Sequence, residues 1–286
     1  MGLPHRIPFM KMTGSGNDFI LVDNRNGLLD LESVGRIVPM ACRRKLSAGA
    51  DGFILIEDDP EVDFSWRFYN ADGSEAEMCG NGSRCAARFA ILKGIATGPR
   101  LSFRTLAGIV QAEVRGRRVK VRMPPPHGLE TDIRLDRDGR PFSLDFINTG
   151  VPHVVQLLED KLALEAANVF EWGRWLRHHP RFHPAGTNVN FAHVFDSHHM
   201  AIRTYERGVE AETLACGTGS IAAALVAAAR KLVTSPVEVL TRSGETLTIH
   251  FKDPPPLGQA ASTSVFMEGE ARVAYEAELW DETLET

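Results

Sequence analysis

Apolar residues recur at helical spacing in three stretches of this chain, Gly80 to Leu92, Asn168 to Leu176 and Gly217 to Leu232, and each predicts a helix. Short runs of strand-forming residues lie between turn residues. Ile7 to Met12, Phe19 to Asp23, Gly52 to Glu57, Ile109 to Val114 and Glu245 to Phe251 read as β-strands. The tail from Val265 to Tyr275 reads as a further strand pair that returns to the first part of the chain. Many strands and few helices, out of strict alternation, predict an α+β fold.

The same pattern occurs twice. Residues 68–92 (FYNADGSEAEMCGNGSRCAARFAIL) and 203–230 (RTYERGVEAETLACGTGSIAAALVAAAR) share an aromatic, an acidic glycine-containing loop, Cys-Gly-x-Gly-Ser and an apolar helical run. Gly108 follows Cys79 by 29 residues (108 − 79), and Gly244 follows Cys216 by 28 (244 − 216). Both copies then enter strand-like residues and close on a triple proline, Pro124 to Pro126 and Pro254 to Pro256. The repeat predicts two domains. One covers residues 1–124 with the tail 268–286 returning to it; the other covers 125–267. Pro124 to Gly128 is the linker, because proline cannot continue a central strand.

In each copy a cysteine stands directly before Gly-x-Gly at a helix start. Unpaired backbone N–H groups and the positive end of the helix dipole stabilise negative charge there. The glycines let a ligand approach the backbone, and the same N–H groups seat a carboxylate. If the repeat is a pseudo-twofold one, two thiols and two helix starts surround one cleft. A thiolate on one face of an α-carbon then removes its proton, and a thiol on the other face returns one. Cys85 falls inside the apolar helix, opposite Ala222 of the second copy, and reads as core. Cys42 reads as structural.

Composition narrows the class. A hydrophobic fraction of 43% with 24% charged residues is that of a soluble globular protein. A net charge of −5 and the lack of a long basic run leave no footprint for nucleic acid. No apolar stretch approaches bilayer length and no signal-peptide pattern opens the chain, so the expected compartment is the cytoplasm, with no membrane partner. There all four cysteines are expected to stay reduced. His178, His179 and His183, or His198 and His199, fit no common zinc spacing. Gly14 to Phe19 fails as a dinucleotide motif, since Phe19 replaces the third glycine and no helix follows.

Along almost its whole length the sequence resembles diaminopimelate epimerase. The matching stretches are Gly14 to Phe19 (GSGNDF), Gly49 to Gly52 (GADG), Tyr69 to Cys85 (YNADGSEAEMCGNGSRC), Gly150 to His153 (GVPH), Gly186 to Phe191 (GTNVNF) and Tyr205 to Gly219 (YERGVEAETLACGTG). The resemblance implies conversion of L,L-2,6-diaminopimelate to the meso isomer in lysine and cell-wall synthesis, without pyridoxal phosphate or metal. It implies two pseudo-symmetric domains, each a β-sheet or barrel wrapped around a central helix, with the active site in the interdomain cleft. It also implies a homodimer, with Tyr275 where the family has a dimer-contact tyrosine.

On the family pattern Cys79 and Cys216 are the acid/base pair, and His153 and Glu206 support the proton transfer. The backbone at Gly80, Asn81, Gly217 and Thr218 seats the reacting carboxylate. Asn17, Asn70 and Asn188 match substrate-binding asparagines, and Glu206 with Arg207 reads substrate charge. Two positions depart from the pattern of some members: Gly52 stands where they carry Gln, and Val151 where they carry Asn. Proline racemase and hydroxyproline epimerase share the two-cysteine logic and form the alternative. Their first motif usually has His where this chain has Asn81. A carboxylate-binding protein without catalysis is the alternative from another class.

Overall fold

The computed structural model describes residues 4–254, 256–257 and 264–284. The middle residue of the second triple proline, Pro255, lies outside them. The chain forms two compact units, residues 1–121 with 269–286, and residues 122–268.

The elements run in chain order. First come β1 (Arg6–Gly14), β2 (Asn17–Asp23), α1 (Leu31–Ala41), β3 (Gly52–Glu57), β4 (Phe64–Asn70), β5 (Glu75–Ala76), α2 (Gly80–Leu92), β6 (Arg100–Thr105), β7 (Gly108–Arg115) and β8 (Arg118–Met123). Then follow β9 (His127–Arg137), β10 (Arg140–Asn148), β11 (Pro152–Leu157), α3 (Lys161–Ala166), α4 (Val169–Arg177), β12 (Asn188–Val194), β13 (His199–Glu206), β14 (Ala211–Thr213), α5 (Gly217–Ala229), β15 (Val237–Leu240), β16 (Thr246–His250), β17 (Val265–Glu270) and β18 (Arg272–Trp280).

In the first unit the strands lie in the order β18-β1-β2-β3-β4-β6-β7-β8, with β5 on β4. Every pair is antiparallel except β2–β3 and β4–β6. In the second unit the order is β9-β10-β11-β12-β13-β15-β16-β17, with β14 on β13. The parallel pairs are β11–β12 and β13–β15, at the same two places. The duplicated motifs therefore sit in the same topology, in an α+β fold. One strand differs in origin. The second unit opens with the hairpin β9–β10, whereas β1 takes its outer partner, β18, from the end of the chain.

Each sheet is covered on both faces, which is why its middle strands are continuously apolar. In β3, Ile54 faces α2, where its Cδ1 would lie 3.3 Å from a Cβ at Gly82. Phe53 and Leu55 point the other way, into a core with Val34, Ile37 and Val38 of α1. The second unit repeats this arrangement. Helix α5 packs on β10, β11, β12 and β13, and α4 with α3 packs Val169, Leu176 and Leu164 against Phe142, Phe191 and Tyr205. Asp30, Asp160 and Asn168 cap α1, α3 and α4 by accepting from the N–H three residues on.

Two expected element boundaries shift by more than two residues. Helix α5 stops at Ala229 and not at Leu232, because Arg230 is its C-cap and Lys231 turns left-handed with φ 61°. The tail pair is longer than expected, with β18 reaching Trp280 so that β1 is paired with it from Arg6 to Thr13. Helix α1, with Pro39 near its end, is an element that the hydrophobic pattern did not single out.

Helix α4 meets β13 through Gly173, where a Cβ would lie 2.4 Å from the Cβ of Tyr205. Backbone-attached atoms on both sides leave nowhere to yield. Gly173→Ala should therefore destabilise the fold by about 1–3 kcal/mol through overpacking, measured by urea unfolding. A neutral or stabilising effect would contradict this packing.

Candidate active site

The two repeated cysteines are the N-caps of the two thirteen-residue central helices. Cys79 is extended at φ −140°, ψ 117°, and Cys216 at φ −124°, ψ 110°. Each carbonyl starts its helix, accepting from Ser83 N at 2.8 Å and Ser220 N at 2.9 Å. Each sulfur accepts the N–H of the third residue on, from Gly82 and from Gly219, at 3.4 Å in both copies. Ser, Thr, Asp or Asn usually fills this role. A thiolate is the stronger acceptor there, since it faces the positive helix end. The N–H groups of Gly80, Asn81, Gly217 and Thr218 belong to first turns, which have no intrahelical acceptor. Thr218 Oγ1 lies 3.5 Å from the Cys216 sulfur, and the Thr218 carbonyl accepts from Thr149 Oγ1 at 3.0 Å.

In the first unit, Asn17 and Asn81 are joined directly. Asp51 accepts from Asn17 Nδ2 at 3.0 Å, which fixes the amide because a carboxylate only accepts. Asn17 Oδ1 is then free to face Asn81 Nδ2, 2.7 Å away. Asn81 Oδ1 is buried and has no partner among the described residues. Asp51 is held in turn by Arg44 at 2.8 Å, and Arg44 bridges to Asp18 at 2.5 Å. Lys11, only 5% exposed, pairs with Asp18 at 2.8 Å and donates to the Gly49 carbonyl. Burial works against the Asp18 charge, but Arg44 and Lys11 outweigh it and hold its carboxyl below the ordinary range. Asn70 is exposed at the end of β4, where its side chain donates to Ser74 Oγ at 3.0 Å. It pairs with Gly52 across the sheet. A Cβ at Gly52 would lie 2.6 Å from the Phe68 ring and 3.0 Å from the Tyr69 carbonyl, so this position has no room for a side chain without a shift of its neighbours.

In the second unit, His153 is the second residue of β11 and pairs with Asn188 of β12. It is wholly buried. Burial, with the nearby Arg207 charge adding to it, pulls its pKa down to about 3, against the opposing hydrogen bond to Asn190. His153 is therefore neutral at physiological pH. Asn188 Nδ2 donates to the Pro152 carbonyl at 3.0 Å, and its oxygen accepts from Arg207 N at 2.9 Å. It thus pins the turn before His153 to the backbone of Arg207. The Arg207 guanidinium gives one hydrogen bond to the Ala185 carbonyl at 3.0 Å. Glu206 ends β13, and burial pushes its carboxyl above the ordinary range. Val151 sits in the β10–β11 turn, where its carbonyl accepts from Thr149 N at 3.1 Å.

The remaining candidates have other surroundings. Cys85 is fully buried within α2, and burial pushes the Cys42 thiol up to about 12. Among the described residues no group of three or more His, Cys, Asp or Glu is placed to hold a metal ion, and no helix is long and apolar enough to cross a membrane. Lys11, Arg44 and Asp51 support Asn17, and Asn190 contacts His153; the sequence motifs did not single these out. Asp51 and Asn190 lay inside quoted motifs, but nothing in the sequence separated their side chains from those of their neighbours.

Comparison with known proteins places this arrangement. The family model described as diaminopimelate epimerase matches residues 9–127 and 146–273. The diaminopimelate epimerase of Aquifex aeolicus is 48% identical over 288 aligned residues, covering 97% of this chain and 99% of its own. That of Hydrogenobaculum sp. is 44% identical, covering 93% and 98%. Among solved structures, a phenazine biosynthesis protein of the PhzF family from Bacillus anthracis superposes with a TM-score of 0.74 at 16% identity, over 96% of this chain and 98% of its own. A hydroxyproline epimerase from Agrobacterium vitis, with bound trans-4-hydroxy-L-proline, gives 0.70 at 16% identity, over 98% and 94%. The structural matches share the fold, and the sequence matches decide the lineage across nearly the full length of both chains: this chain belongs to the diaminopimelate epimerase family.

Proposed function

We propose that this chain is a cofactor-independent epimerase that converts L,L-2,6-diaminopimelate to the meso isomer, with Cys79 and Cys216 as its acid/base groups. The observation that carries this reading is the pair of sulfur caps, at the same place in the two repeats and with the same 3.4 Å bond. One sulfur, as thiolate, takes the α-proton and becomes a thiol. The other, as thiol, gives its proton to the opposite face and becomes a thiolate. Nothing is consumed, and the two sulfurs exchange roles.

The α-proton of an amino acid is a very weak acid, so charge developing at the reacting end needs preorganised donors. First-turn N–H groups of Gly80, Asn81, Gly217 and Thr218 suit its carboxylate. The buried Asn81 Oδ1, without a partner among the described residues, suits an ammonium group. Arg207, with four of its five guanidinium donors beyond the bond to Ala185, suits a distal carboxylate. Asn17, Asn70 and Asn188 offer donors and acceptors to a zwitterionic end. Glu206, protonated more readily than an ordinary glutamate, regains its charge beside a substrate ammonium. The partners inferred are the small substrate and a second copy of the chain. Tyr275, 45% exposed on β18, supports that contact. The inferred compartment is the cytoplasm.

The decisive test is incubation of the purified protein with L,L-diaminopimelate in heavy water without added cofactor, with proline and hydroxyproline as controls. Deuterium should enter at one α-carbon of diaminopimelate; incorporation into proline instead would transfer the reading to the racemase alternative. Cys79→Ala and Cys216→Ala should each lower epimerisation by at least about a thousandfold, and full activity in either refutes the assignment. Cys85→Ala should leave turnover within about threefold, because its sulfur is enclosed in α2.

Glu206 gives a pH-dependent prediction. A carboxyl whose pKa is raised on folding binds more protons folded than unfolded, so its contribution to stability is full below the ordinary glutamate pKa and is lost as pH rises through the raised value. Glu206→Gln stays neutral throughout. Its stability relative to the parent should rise with pH across that window and then level off, as read by urea unfolding. A difference that stays constant between about pH 4 and 8 would exclude this burial effect.

A further inference from the structure

Asn190, on β12, is fully buried beside His153. Its side-chain nitrogen donates to the Val154 carbonyl at 2.9 Å and lies 3.1 Å from His153 Nδ1. Its oxygen accepts from Thr204 Oγ1 at 3.0 Å. A carbonyl oxygen can only accept, so the amide cannot be turned over: the nitrogen must face Val154, and its second hydrogen falls to His153. An N–H directed at Nδ1 requires that Nδ1 carry a lone pair. The single proton of the neutral ring is then on Nε2, which is buried and has no partner among the described residues.

The same amide abuts the cap of Cys216. A Cβ at Gly219 would lie 2.4 Å from Asn190 Oδ1 and 3.3 Å from the Cys216 sulfur, and the Gly219 N–H is the one that the sulfur accepts. One side chain thus fixes the imidazole on one side and touches the helix start on the other. The titratable groups on the elements around β11 are Arg140 and Asp145 of β10, His193 of β12, Cys216 and Arg230 at the ends of α5, and His199, Arg203, Tyr205 and Glu206 of β13 with Arg207 just after it. Asp145 is engaged by Arg230 at 2.6 Å, and His193 Nδ1 lies 3.1 Å from the Leu158 carbonyl. The Arg207 charge reaches His153 and disfavours an imidazolium.

We propose that Asn190 is a positioning residue that locks His153 as the neutral Nε2–H tautomer, so that His153 serves the reaction as a buried hydrogen-bond donor to an anion and not as a base or a cationic acid. The tautomer stands on the geometry alone; its catalytic use rests on the epimerase reading above. Asparagine suits the position where aspartate does not. A carboxylate there would draw a proton onto Nδ1 and leave Nε2 bare, or would hold both protons on the ring.

The test uses the full chain with ¹⁵N-labelled histidine. The His153 signals are assigned by their loss in His153→Gln. In the parent protein, long-range ¹H–¹⁵N correlation should show Nδ1 unprotonated and Nε2 protonated, unmoved across neutral pH. A proton on Nδ1, or a His153 that titrates near the ordinary histidine range, overturns the proposal without reference to activity. Asn190→Asp should invert the pattern or make His153 titrate. Its kcat should fall by about 10²- to 10³-fold, as for loss of one oriented donor, with a new ionisation in the pH profile. Inverted signals with unchanged kcat would overturn the catalytic half, and unchanged signals would remove Asn190 as the cause. Thr204→Val, which keeps the bonds to Val154 and His153, should retain the parent pattern, so a failure of Asn190→Asp to fold leaves the parent tautomer to decide.

Discussion

A helix that begins inside a protein must satisfy N–H groups that its own carbonyls cannot reach. In this chain that requirement falls on two cysteines. Each sulfur closes one turn of a central helix, and each does so in a repeat whose glycines keep side chains away from the cap. The demand for a cap and the stabilisation of a thiolate are one electrostatic effect, since the same N–H groups and the same dipole serve both. The rest of each unit holds that helix start in place. Its sheet wraps the helix, a second helix covers the outer face, and small residues at Gly82 and Gly219 allow the close approach.

Most polar residues near each cap are buried or half-buried, and their hydrogen bonds leave few free choices of orientation. Asp51 orients Asn17, and Asn17 orients Asn81. Asn188 ties Arg207 to the turn before His153, and the Val154 carbonyl orients Asn190. Each of these amides is fixed by a group that can only accept, so the direction of every later donor follows. Burial then decides charge: His153 stays neutral, while Asp18 stays ionised because Lys11 and Arg44 face it. A buried group is charged here only where a partner offsets the loss of water.

The two units also show what duplication leaves free. They share strand order, the two parallel pairs, the central helix and the outer helix, but the first takes its outermost strand from the far end of the chain. The polar surroundings differ more. A carboxylate network with Lys11 and Arg44 supports the first cap, and an uncharged His153–Asn190–Thr204 group lies beside the second. The repeat thus keeps the sulfur and its helix while the neighbouring chemistry has diverged.

The sequence by itself determined the repeat, the two cysteines at helix starts, the α+β class and the resemblance to one family. All of these rest on local order: a cap residue, glycines after it and apolar periodicity are read within a few residues of one another. The positions of Asn17, Asn81, His153 and Glu206 as candidates came from that resemblance. Only the tertiary structure decided what surrounds them. Whether Gly52 has room for a side chain depends on Phe68, sixteen residues on (68 − 52), and on the facing strand. Whether His153 is charged depends on burial under elements from several parts of the chain, and which of its nitrogens is protonated depends on an asparagine 37 positions away. Charge and tautomer are set by the dielectric and the hydrogen-bond partners that packing brings together, and no pattern of neighbours in the sequence encodes them.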